Sequence, residues 1–172
     1  MASVPPSLQP AQRGTRRRTS WSARLASVLL ILAAPVATWW LVGPNPGDGL
    51  GSDPMLRPDD YDYLFHPPAI DATMERVGGW AAVAVAALGV ALLVVEARHG
   101  RIDRRWWPPI VAMTLVGAII GLSGRVMTAA VVGANIGDGF MLLFGPPVVL
   151  VLVIGSIVWS IQNLRTTTPT AH

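Results

Sequence analysis

Residues 25–42 have the sequence LASVLLILAAPVATWWLV, which contains no charged side chain. A hydrocarbon core about 30 Å thick needs roughly 20 apolar residues of α-helix, so this segment is long enough to cross a membrane. It ends with Trp39 and Trp40, the aromatic residues typical of a membrane interface, and Gly43 and Pro44 then stop the helix. The segment therefore predicts a first transmembrane helix.

A cleaved signal peptide is the alternative interpretation of this segment, with Arg16, Arg17 and Arg18 as its basic region. The apolar run is longer than the hydrophobic region of a signal peptide, and residues 34–37 (APVA) are a poor cleavage site. We therefore interpret residues 25–42 as a helix that is retained in the mature protein.

Three more apolar segments of spanning length follow, at residues 77–96, 108–132 and 141–162. The whole chain is 52% apolar and only 13% charged, and its mean hydropathy is +0.48. A soluble domain of 172 residues does not have this composition. The predicted fold is all-α: a membrane-spanning four-helix bundle.

The segments between the predicted helices are polar and rich in glycine and proline. Asp71 is a predicted N-cap of the second helix, and Pro108 and Pro109 fit the first turn of the third. The connecting segments are a disordered Arg-rich arm (residues 1–24), an acidic and aromatic loop (43–76), a basic loop (97–107), a tight turn (133–140) and a short tail (163–172).

The arginines predict the orientation in the membrane, because cytoplasmic loops collect basic residues. One side holds only Arg57 and Arg76 and most of the acidic residues. The other side holds most of the arginines, which are Arg13, Arg16, Arg17, Arg18, Arg24, Arg98, Arg101, Arg104, Arg105 and Arg165. Both termini are therefore predicted to be cytoplasmic, with residues 43–76 as one acidic outer loop of a plasma-membrane protein.

Several functions are disfavoured by composition and motifs. The chain has no cysteine, and His66, His99 and His172 all lie outside the predicted helices, which disfavours thiolate chemistry and haem ligation. We find no P-loop, nucleophile elbow or paired intramembrane carboxylates, so we expect no enzyme and no cofactor. The pI near 10.5 is attributed to arginines facing anionic lipids, and no nucleic acid is expected as a partner.

Arg125 is the one ionisable residue well inside a predicted span, which makes it a candidate intramembrane polar site. Its position near the outer boundary also fits an interface residue that meets headgroups or Asp138. Gly117, Gly121 and Gly124 share a helical face near Arg125, and such small residues indicate close helix packing. Gly78, Ala82 and Ala86 suggest a similar seam on the second helix.

The outer loop contains an alternating aromatic strip, Tyr61, Tyr63 and Phe65, followed by His66. In an extended chain the three aromatic side chains lie on one face, so the strip is a candidate docking surface for a partner. The acidic residues beside it could also hold a cation, but their spacing matches no known metal motif and we expect no metal. These acidic residues are Asp59, Asp60 and Asp62.

The order of these features resembles that of uncharacterised small four-span integral membrane proteins of actinobacteria. The similar features are an Arg-rich start, an acidic outer loop and a late third span, here residues 117–125 (GAIIGLSGR). The resemblance implies a bacterial plasma-membrane protein and supplies no activity.

These observations predict a non-enzymatic accessory or structural subunit that lies in the lipid bilayer and assembles with other membrane proteins. The alternative is a small oligomeric transporter or channel component, with Arg125 near its outer mouth. In that case the chain assembles with copies of itself.

Overall fold

The computed structural model describes residues 20–43, 65, 70–129 and 136–165. This part of the chain forms four α-helices, which are α1 (Trp21–Leu41), α2 (Ala72–Arg98), α3 (Trp107–Met127) and α4 (Ile136–Arg165). A short 3₁₀ turn, Arg104–Trp106, precedes α3. All four α-helices belong to segments long and apolar enough to cross a membrane, which confirms the predicted all-helical fold and fits a multi-pass integral membrane protein.

Polar residues and prolines at the helix starts explain where the helices begin. The Asp71 side chain accepts a hydrogen bond from the Thr73 amide at 2.9 Å, so the predicted N-cap of α2 is confirmed. Pro108 and Pro109 lie in the first turn of α3, as predicted, where no helical donor is lost. Ser20 caps α1 by accepting a hydrogen bond from the Ala23 amide.

The helix ends differ from the predicted span boundaries. α1 begins at Trp21 and not at residue 25, because Ser20 provides the cap and α1 continues beyond the apolar run. α4 begins at Ile136, inside the segment assigned to the turn 133–140, and Asp138 lies in its first turn, where the helix dipole favours a carboxylate. α3 ends at Met127 and not at residue 132.

The packing places α1 at the centre of the molecule. It packs against both α2 and α3, and α3 packs against α4, so the extensive contacts follow the order α2, α1, α3, α4. The buried residues of α1 are mostly alanines, which let its neighbours approach closely. On α2 the buried glycines are Gly79 and Gly89. Gly78, which the sequence places in a packing seam, is exposed, and a Cβ added there would meet no atom within 4 Å.

Pro35 lies inside α1 at the contact with α3. Because proline has no N–H, the Ile31 carbonyl loses its ordinary helical donor. A Cβ added at Gly117 would lie 3.2 Å from that carbonyl oxygen, and one added at Gly121 would overlap the Pro35 carbonyl. Glycine is therefore required at position 121 for the backbones of α1 and α3 to lie so close together, and at position 117 a larger residue would have a tight fit.

The helices alternate in direction, so the molecule has two ends. We call the end with the start of α1 and the end of α2 the Glu96 end, and the opposite one the Arg125 end. At the Glu96 end the Arg105 carbonyl accepts hydrogen bonds from Trp159 Nε1 at 2.8 Å and from Asn163 Nδ2 at 2.9 Å. These two bonds attach the last turns of α4 to the segment between α2 and α3.

Candidate functional site

The polar site of the molecule with the clearest geometry is centred on Arg125. The side chain of Arg125 is only 12% exposed, although it lies in the last turn of α3. Its Nη1 atom lies 3.3 Å from Oε1 of Glu75, and its Nε atom donates to the Gly43 carbonyl at 2.9 Å. Three helix ends therefore meet at one guanidinium: the end of α1, the start of α2 and the end of α3.

Trp39 completes this cluster from α1. The Arg125 guanidinium carbon lies 5.4 Å from the centre of a Trp39 ring, within the range of a cation–π interaction. The Nε1 atom of Trp39 lies 3.5 Å from the Glu75 carboxylate and donates to it. The same tryptophan thus contacts both charges of the ion pair.

Local helix chemistry explains why the two charges lie at this end. Glu75 is in the first turn of α2 and Arg125 is in the last turn of α3, and each sign complements the helix dipole at its position. Gly43 has a φ of +79° and directly follows the C-cap of α1, a conformation that glycine adopts at little cost. Its carbonyl can therefore face Arg125.

The glycines singled out in the sequence lie beside this cluster. A Cβ at Gly124 would lie 2.9 Å from the Trp39 ring, and Gly117 and Gly121 face the backbone of α1 around Pro35. All three glycines thus lie where α3 meets α1. Their geometry is that of a packing seam, and Arg125 lies directly after its last member.

The predicted docking residues are only partly described. Tyr61, Tyr63 and His66 lie outside the described residues. The Phe65 ring is 58% exposed, and the Phe65 amide donates to the Met127 carbonyl at 3.2 Å. The loop backbone therefore contacts the end of α3 two residues beyond Arg125.

Two carboxylates emerge only from the structure. Glu75 falls within the acidic loop predicted at residues 43–76. Its ion pair with Arg125 becomes apparent only when α2 lies near α3. Glu96 is buried at the opposite end, where it accepts hydrogen bonds from Ser20 at 2.9 Å and from Ser22 at 2.8 Å. The sequence signal for Glu96 was a lone acid at the end of an apolar span.

Two cavities adjoin the Arg125 cluster. The first is an apolar groove of about 420 Å³ between α1, α2 and α3, and the second is a more polar cavity of about 490 Å³ beside Arg125. Trp39, Trp40 and Glu75 line both. The Arg125 end therefore presents an apolar space next to a charged one.

Metal-binding groups are absent from the described part of the chain: no three His, Asp or Glu side chains cluster there. The loop acids Asp59, Asp60 and Asp62 lie outside it. The described residues instead bring together the Arg125 guanidinium, the Glu75 carboxylate and the Trp39 ring. Such a group of side chains suits structural pairing or recognition of a charged group. Comparison of the chain with protein families, curated proteins and solved structures finds no match.

Proposed function

We propose that the protein is a non-enzymatic accessory or structural subunit that assembles with other proteins of a bacterial plasma membrane. The observation that carries this proposal is the one-sided packing of α4. Only Asp138 and Ser156 are buried among its thirty residues, and its extensive contacts are with α3. The remaining faces of α4 are apolar and available to a helix of another subunit.

The environment of Arg125 supports the same proposal. Its guanidinium contacts Glu75 and the Gly43 carbonyl of the same chain, so its charge is neutralised and bonded internally. A residue that passes a solute must exchange its partners during transport. A cation held by three helix ends instead fixes the shape of the molecule.

The test is purification in a gentle detergent, with one substitution on α4 and a matched one on α1. Leu143 on α4 is 66% exposed and Leu32 on α1 is 68% exposed, so both can be replaced by Trp without filling the interior. We expect a heteromeric membrane partner in fixed stoichiometry, retained with Leu32→Trp and reduced with Leu143→Trp. Equal recovery of the partner from both variants would remove the assigned role of α4.

The aromatic strip of the outer loop is the second proposed contact with a partner. Burial of each aromatic side chain is worth on the order of 1.5 to 3 kcal/mol, so Tyr61, Tyr63 and Phe65 replaced together by Ser should release the partner or lower the melting temperature. Asp48 and Asp53 replaced by Asn are the control, because solvated loop charges contribute little. Equal, negligible effects of the two sets would show that the strip does not dock.

The alternative function is a small oligomeric transporter or channel component with Arg125 near its outer mouth. The observation in its favour is the polar cavity of about 490 Å³ that Arg125 lines. This alternative requires a homo-oligomer that moves a solute across liposomes. A hetero-oligomer without such transport supports the accessory role.

A further inference from the structure

The apolar groove at the Arg125 end has the size of a ligand site. Its volume of about 420 Å³ falls in the range of roughly 300 to 1,000 Å³ that protein ligand sites occupy. Three helices line it, through residues that include Val36, Met74, Gly78, Ile120 and Gly121. A Cβ at Gly78 would meet no atom within 4 Å, so the groove is open beside this residue of its wall.

The adjoining cavity gives this groove a charged end. The charged residues that line it are Glu75, Arg76 and Arg125, so the cavity has an excess of one positive charge. Glu75 pairs with Arg125, whereas Arg76 is exposed and makes no ion pair with any described residue. Arg76 is therefore available to an anionic group that enters beside the groove.

We infer that the two cavities together bind one membrane phospholipid, with an acyl chain in the groove and the phosphate beside Arg76. Trp39 and Trp40 line both cavities, and tryptophan favours the boundary between hydrocarbon and headgroups. The apolar groove thus adjoins the cationic cavity, just as the acyl chain of a phospholipid adjoins its phosphate group.

Other occupants fit the groove less well. A partner helix is about 10 Å across with its side chains, so a groove of about 420 Å³ has room for only about one of its turns. A small polar metabolite would lose hydrogen bonds to water without replacing them along the apolar walls. The phospholipid site does not depend on the subunit role proposed above.

The test uses two matched leucine substitutions in the full-length protein. A Cβ at Gly78 or at Gly155 meets no atom within 4 Å, so both positions accept a larger side chain, but only Gly78 lines the groove. Each protein is reconstituted in nanodiscs containing phosphatidylglycerol or phosphatidylcholine with a photoactivatable acyl chain. Crosslinks are mapped by mass spectrometry on Met74 and Ile120 in the groove and on Leu32 of α1, which is 68% exposed and lines neither cavity, as the bulk-lipid reference.

We expect phosphatidylglycerol to label the groove in preference to phosphatidylcholine, relative to Leu32. Gly78→Leu should lower the groove labelling to the level of the bulk-lipid reference, and Gly155→Leu should leave it unchanged. Arg76→Gln should lower the preference for phosphatidylglycerol about fivefold, because one basic residue near an anionic surface strengthens binding by about that factor. Arg76 is exposed, so this variant is expected to fold even where Gly78→Leu does not, and an unchanged preference for phosphatidylglycerol in it would overturn the inference.

Three other results would also overturn the inference. The first is groove labelling that is unchanged in a folded Gly78→Leu protein. The second is equal labelling by the two lipids in the wild-type protein. The third is a groove that no lipid labels, which would mean that the outer loop or a partner fills it.

Discussion

The Nη1 atom of Arg125 lies 3.3 Å from Oε1 of Glu75, which joins the end of α3 to the start of α2. Both helices pack on α1, and the pair closes the arrangement at that end of the molecule. Near the membrane boundary a lone guanidinium would be costly, so the carboxylate makes the position of Arg125 tolerable. The pair therefore belongs to the fold as much as to any site.

The first prediction concerns this pair. Arg125→Gln should lower the free energy of unfolding by about 1 to 3 kcal/mol, because the Gly43 carbonyl and the Glu75 carboxylate both lose a charged donor. Glu75→Gln should cost about 1 kcal/mol or less, because Glu75 is 38% exposed and solvent screens its charge. Denaturant titration of the detergent-solubilised protein, followed by tryptophan fluorescence, measures both values.

The double variant and a surface control make this comparison decisive. Arg125→Gln combined with Glu75→Gln should cost less than the sum of the two single changes, because the pair can be broken only once. Arg98→Gln, at the exposed end of α2, should change stability by about 0.5 kcal/mol or less. Strict additivity of the two single changes would mean that the ion pair is not formed.

The sequence could predict Arg125 as an unusual residue but not its partner. An arginine within an apolar span is visible in the chain, because the apolar residues on both sides of it predict that it lies in or near the membrane. Glu75 is fifty residues away from Arg125 in the chain. Its relation to Arg125 depends on which helices are neighbours and on the register between them, and hydropathy contains no information on either.

The second prediction concerns the close approach of α3 to α1. Gly121→Ala should destabilise the protein by about 1 to 3 kcal/mol, because the new Cβ overlaps the Pro35 carbonyl and the two helices must separate. Gly155→Ala should leave stability unchanged or raise it, because a Cβ there meets no atom within 4 Å and alanine favours the helix. Thermal unfolding, monitored by tryptophan fluorescence, compares the two.

This comparison is decisive because the same substitution is expected to destabilise the protein at position 121 and not at position 155. A glycine seam can be predicted from sequence spacing, because positions 117, 121 and 124 share one helical face. The contact of these glycines with Pro35 could not be predicted, since it depends on which helices are neighbours and not on residues close in sequence. Similar melting temperatures for Gly121→Ala and Gly155→Ala would show that the backbones of α1 and α3 are not in contact at Pro35.

The third prediction concerns Glu96, where two serines near the start of α1 donate to one carboxylate at the end of α2. Glu96→Leu should lower the melting temperature, because the hydroxyl groups of Ser20 and Ser22 lose their acceptor and the positive end of the α1 dipole loses a nearby anion. Glu96→Gln should have a smaller effect, since the amide oxygen still accepts one hydrogen bond.

Arg101→Gln is the control for Glu96. Arg101 lies 3.6 Å from the Glu96 carboxylate, but its side chain is mostly exposed, so screening leaves the pair little strength. We expect Arg101→Gln to change the melting temperature less than either Glu96 variant. A larger effect of Arg101→Gln would assign the stabilisation to charge and not to the serine hydroxyl groups.

Helix existence was easier to predict than helix ends. Apolar length alone identified all four helices, because a bilayer requires that length. The start of α4 at Ile136 was missed, because Gly137 and Gly139 favour turns in an isolated chain and are still tolerated in a helix. Caps such as Asp71 were predictable, since a cap depends on residues only a few positions apart.

The last prediction is the orientation in the membrane. A chain without cysteine can carry single cysteines at chosen positions, so each can be tested with a membrane-impermeant maleimide. Ser52→Cys should react in intact bacterial cells, whereas Ser7→Cys, His99→Cys and Thr168→Cys should react only after permeabilisation. The reason is the arginine distribution, which predicts that the arm, the connection between α2 and α3, and the tail lie on the cytoplasmic side. Labelling of His99→Cys in intact cells, with Ser52→Cys protected, would reverse the orientation and place Arg125 and the groove on the cytoplasmic face.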